Sequence, residues 1–121
     1  MPERFERIID RIVESQTKFA VLKLFKENPY VMDNRAGLVL WVGRPQEMLG
    51  PELEELLKMG VLHRWGAEPG AIYAYTRDQE MRRQIEERWP EISLRASEAR
   101  SRQEHEKVIR SETSSRQPDG R

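Results

Sequence analysis

Apolar side chains recur at helical spacing from the start of the chain. Phe5, Ile8, Ile9, Ile12 and Val13 share one face of "PERFERIIDRIVES", with Arg4, Arg7, Arg11 and the acids opposite, which predicts an amphipathic helix. A second helix is predicted over "KFAVLKLFKEN", capped by Thr17, with Val21, Leu22, Leu24 and Phe25 mostly buried and Asn28-Pro29 as its end. "YVM", Tyr30 to Met32, is long enough only for a short strand. Asp33 then caps a helix through "NRAGLVLWV" that Gly43 stops, and Trp41, inside that apolar run, is expected in the core.

Leu49, Leu53, Leu56 and Leu57 set a further helical stripe, interrupted by Gly50-Pro51. A proline inside a regular helix removes one backbone hydrogen bond and clashes with the carbonyl four residues back, at about 3 kcal/mol. A first turn from Pro45, a distortion at Gly50-Pro51 and a regular helix to Met59 are therefore expected, closed by Gly60 as a left-handed cap. "VLHRW" and "AIYAYT" flank "GAEPG" and predict a hairpin, with Pro69-Gly70 at the centre of a type II turn and Tyr73 and Tyr75 packing beneath the helices. Thr76 and Gln79 suit a capping box for a last helix striped by Met81, Ile85 and Trp89 and ended by Pro90. Beyond it, a polar helix fits residues 91–110, and "SETSSRQPDGR" reads as disordered and dispensable for folding, since it has no aliphatic or aromatic side chain.

Composition narrows the class. With 121 residues, 37% apolar and 35% charged, the chain is the size of one domain with a modest core. No run approaches the roughly 20 apolar residues of a membrane span, and the charged start "MPERFERIID" lacks the apolar centre of a secretory signal, so a cytoplasmic address is expected. The absence of cysteine removes disulfides, thiolate ligands and cysteine nucleophiles. His63 and His105 are far apart in the sequence, and there is no glycine-rich phosphate loop and no metal-ligand spacing, so neither an enzyme nor a metal or other cofactor is expected.

The order helix, helix, short strand, helix, helix, strand, turn, strand, helix resembles the winged helix-turn-helix family. Counted from Gly43, apolar residues fall at Leu49, Leu53 and Leu56, followed by Gly60 and the pair Val61 and Leu62, which looks like the core pattern of that family across its turn and recognition helix. "IYAYT", Ile72 to Thr76, is similar to the strand that ends many bacterial winged-helix regulators. The resemblance implies a mainly α fold with a small β-hairpin and extra N- and C-terminal helices. It also implies three segments: an amphipathic helix over 1–16, a winged-helix domain over 17–89 and a polar tail over 90–121. Recognition helix and wing would meet at Met59-Gly60.

What the resemblance implies for function is duplex-DNA binding by a small transcriptional regulator, through Arg44, Gln46 and Glu47 of the recognition helix with Arg35 and with Arg64 at the base of the wing. A homodimer seam through Phe5, Ile9, Met81, Ile85 and Trp89 fits the flanking helices, although the same stripe packs equally well within one chain. Charge points the other way. The chain has 21 basic and 21 acidic side chains, and from Asp33 to Gly60 three basic residues face five acidic ones. Glu47, Glu52, Glu54 and Glu55 make a poor face for a polyanion. They read as a solvated helix face with a Glu54–Lys58 pair, or as an acidic surface for a protein partner. The rival function is thus a winged helix used for protein–protein interaction, since a fold does not settle a function. A continuous positive strip through Arg44 and Arg64 would favour DNA, and its absence would favour docking.

Overall fold

The computed structural model describes the backbone of residues 2–115 and the side chains of residues 4–102. Five helices and three short strands follow in the order α1 (Pro2–Val13), α2 (Gln16–Glu27), β1 (Met32–Asp33), α3 (Arg35–Val42), α4 (Gln46–Lys58), β2 (Leu62–Trp65), β3 (Ile72–Tyr75) and α5 (Gln79–Ser115). The strands form an antiparallel sheet in the order β1-β3-β2. Leu62 pairs with Tyr75 and Trp65 with Ile72, while Met32 pairs with Ala74 on the other edge. The hairpin expected from the sequence is therefore joined by β1, which starts two residues later than the expected "YVM" strand and ends one later. The result is mainly helical with a small sheet, a layout compatible with a winged helix.

The apolar stripes converge on one core. Ile9, Val21, Leu22, Phe25, Leu38, Leu49, Leu53, Leu56, Tyr73, Ile85 and Ile92 are all fully buried. At roughly 1.5–3 kcal/mol for each large apolar side chain removed from water, this burial outweighs the local faults in the helices. Pro51 lies inside α4 without ending it. Gly43 and Gly60 take left-handed conformations, at φ +76° and +80°, where a side chain would be strained.

Pro90 does not end the last helix either, because α5 runs through it. The expected boundary at residue 90 thus falls inside one element, and Ile92 and Ala96 beyond it are core residues. Ile85, Trp89, Ile92 and Ala96 continue a single helical stripe against α1 and α2, and the packing of that stripe outweighs the bond lost at the proline. Arg88 to Glu6 at 2.6 Å and Arg95 to Asp10 at 2.8 Å tie α5 to α1. The helix continues to Ser115 where disorder from residue 111 was expected, and residues 116–121 lie outside the described residues.

Three caps differ from expectation by one or two residues. Ser15, not Thr17, accepts from the Lys18 amide at the start of α2, leaving Thr17 buried inside the helix. Asn34, not Asp33, accepts from the Gly37 amide in α3. Asp78, rather than Thr76, accepts from the amides of Glu80 and Met81 at the start of α5. In each case adjacent residues are competent to cap, and the path of the chain from the preceding element selects between them.

Candidate nucleic-acid interface

The inward stripe of α4, Leu49, Leu53 and Leu56, turns Gln46, Glu47, Met48 and Pro51 outward. Arg35, in the first turn of α3, lies across Gly50, where an added Cβ would stand 3.1 Å from its Nη1. The glycine in the middle of α4 makes room for a guanidinium. Arg35 Nη2 donates to Glu54 Oε2 at 3.0 Å, and Nε lies 3.1 Å from both the Tyr73 hydroxyl and Glu68 Oε2. Arg64, arriving from β2, donates to the same Glu54 oxygen at 2.7 Å. The Tyr73 hydroxyl donates in turn to Glu68, folding the carboxylate of the wing inward. Burial, and then the hydrogen bond to Glu68, push the Tyr73 hydroxyl above its ordinary value.

Arg35 and Arg64 are therefore brought together as expected, but around Glu54 and Glu68 instead of toward solvent. Glu54 pairs with these two arginines and not with Lys58. A second cluster takes the neighbouring acids: Lys18 Nζ lies 2.5 Å from Glu52 and 2.8 Å from Glu55, and Arg11 reaches Glu55 at 2.8 Å. Burial opposes the charge on Lys18, yet its hydrogen bonds to Glu52 and Glu55 outweigh it and the net shift is upward. Three of the four glutamates that made α4 look like an acidic surface are thus internal ion-pair partners. Glu47 alone of the four is exposed without an ion pair among the described residues.

Arg44 faces elsewhere. It lines a groove of about 230 Å³ with Gln16 and Phe19 of α2 and Ala96 and Arg100 of α5, away from the Glu54 cluster. Arg64, by contrast, is turned onto Glu54.

No protein-family model, curated protein or solved structure matches this chain. Among the described residues, no helix is long and apolar enough to cross a membrane.

The surface around α3 is apolar where a groove-reading face needs polar donors. Leu40 is 85% exposed and Trp41 54%, and Tyr30, Met32 and Met48 flank them in sequence, also exposed. This corrects the expected burial of Trp41. The inward side of α3 is Leu38, with Val39 and Val42 partly buried, so an eight-residue helix that is apolar all round must leave some of its side chains in water. Trp41 follows Leu38 by three residues, so helical spacing alone does not distinguish its exposure.

The proposed dimer seam packs within one chain. Phe5, Ile9 and Ile85 are buried, Met81 is half-buried against the core, and Trp89 stacks on Phe19 with ring centroids 5.5 Å apart and planes 9° from parallel. Lys26 sits 5.1 Å over the Trp89 ring and closes that edge.

The Glu55 cluster gives an acid-limb prediction. Hydrogen bonds first from Lys18 and then from Arg11 hold the Glu55 carboxyl down at about 2 from an ordinary 4.5. A carboxylate depressed in the folded state stabilises the fold above its unfolded value and loses that contribution as pH falls toward its folded one. Stability is expected to drop between about pH 4.5 and about pH 2. Melting temperatures followed across that range should fall less steeply in Glu55→Gln than in the wild type, and superimposable profiles would contradict the assignment.

Proposed function

We propose that this chain is a winged-helix protein that docks proteins instead of reading duplex DNA, with a second copy of itself as the partner its surface fits. The observation that carries this reading is the sharing of Glu54 by Arg35 and Arg64. Two cations that a winged-helix DNA binder needs for phosphate are already neutralised by one carboxylate of the same chain, so a phosphate there must first displace Glu54. The exposed corner around α3 supports the docking half of the proposal, because Leu40 and Trp41 lose nothing electrostatic on burial against a like surface. A two-fold axis through the apolar corner would set Leu40 and Trp41 of one copy against the same side chains of the other, the self-complementarity an isologous interface requires. Net charge zero imposes no long-range repulsion between copies.

Two measurements test the proposal. Anisotropy of a labelled duplex should not rise at about 50 mM salt; binding whose log K falls with log salt at a slope of −3 or steeper, about −0.9 for each phosphate contact, restores the DNA-binding regulator. Sedimentation at tens of micromolar should give a dimer for the wild type and a monomer of unchanged melting temperature for Leu40→Asp with Trp41→Asp. A monomeric wild type removes the second copy as partner.

A further inference from the structure

About half of the described lysine and arginine side chains are held in ion pairs. Three that are not, Arg4, Arg7 and Lys58, meet at one place. They line a cavity of about 390 Å³ between α1 and the C-terminal end of α4, whose apolar lining is Ile8 and Met59. Pockets for small ligands begin at roughly 300 Å³. An adjoining cavity of about 210 Å³ shares Arg4, Ile8 and Met59, so the space continues past a single anionic group. We propose that this cavity binds a short polyphosphate, carried by an inorganic chain or by a nucleotide, with Arg4, Arg7 and Lys58 as its ligands.

The charge balance supports an anion of that kind. Among the described residues Glu55 is the only acid lining the larger cavity, and Arg11 and Lys18 already occupy its carboxylate. The acids of the adjoining cavity are likewise engaged, Glu80 with Arg83 and Asp78 with the first amides of α5. Arg4 lies in the first turn of α1, where the positive end of the helix dipole disfavours a cation. An uncompensated guanidinium there is relieved by a bound anion. Several cations on a run of phosphates give charge-assisted hydrogen bonds, roughly twice as strong as neutral ones.

Calorimetry on the full chain at about 50 mM salt tests the site, with tripolyphosphate and ATP as probes. One-to-one saturable binding of tripolyphosphate is expected. ATP binding more tightly identifies a nucleotide, with its base on Ile8 and Met59, and equal affinities identify the inorganic chain. Arg4→Ala with Lys58→Ala should weaken either probe at least tenfold, whereas Arg102→Ala, outside the cavity, should leave it unchanged. Both target side chains are exposed and unpaired, so the variant should fold as the wild type does. In the unaltered protein, the methyl resonances of Ile8 and Met59 should shift on titration. No saturable binding at millimolar tripolyphosphate, or equal weakening by Arg102→Ala, would overturn the proposal. So would duplex DNA that binds and is lost in the double variant while tripolyphosphate does not bind.

Discussion

Ile9→Glu combined with Ile85→Glu is expected to unfold the protein, not to split a dimer. Both side chains are fully buried in the core of a single chain, where α1 packs against α5. A carboxylate placed there without a partner costs several kcal/mol even after it takes up a proton, and domains of this size have only about 5–15 kcal/mol in total. Two such substitutions exhaust that margin. The far-ultraviolet helical signal and the cooperative thermal transition should both be lost, while Ile9→Val should cost about 1 kcal/mol and keep the transition. A double variant that kept its melting temperature and halved its sedimenting mass would instead place this stripe between subunits.

The second large effect is centred on Glu54. Glu54→Ala leaves Arg35, three-quarters buried, and Arg64 without their shared carboxylate. With the Glu54 side chain 41% exposed and Arg35 still held by Glu68 and Tyr73, the Arg35–Glu54 pair contributes at most about 1 kcal/mol. Denaturant titration should show that loss, and Glu54→Gln, which keeps one acceptor, should recover part of it. The variant should also gain what the wild type lacks: Arg64 is released while Arg35 keeps Glu68 and Tyr73, and one freed guanidinium predicts weak duplex binding with a salt slope of about −0.9. Unchanged stability together with unchanged indifference to DNA would mean that Glu54 does not restrain these arginines.

The two substitutions probe different levels of the same architecture. Ile9 and Ile85 test the packing that holds α1 and α5 to the core, and Glu54 tests the charge arrangement on the face that packing presents. A protein that fails the first test and passes the second would keep the proposed docking surface with a different assembly. One that passes the first and fails the second would keep the fold and reopen the DNA reading.

Local information was enough for most of the elements. The stripes Phe5 to Val13 and Leu49 to Leu56, the left-handed stops at Gly43 and Gly60 and the two strands after Gly60 were legible because helical periodicity and glycine conformation depend on residues a few positions apart. What needed the tertiary structure was every outcome in which a distant residue outweighed a local preference. Pro90 reads as a stop, yet packing of Ile92 and Ala96 on the core carries the helix through it. Trp41 reads as core in a helix apolar on all sides, and the inward placement of Leu38 leaves both Trp41 and Leu40 facing water. The charges followed the same rule. Arg35 and Arg64 look available in sequence, but Glu54, 19 residues from one and 10 from the other, takes both, because the fold brings α3, α4 and β2 to a single carboxylate.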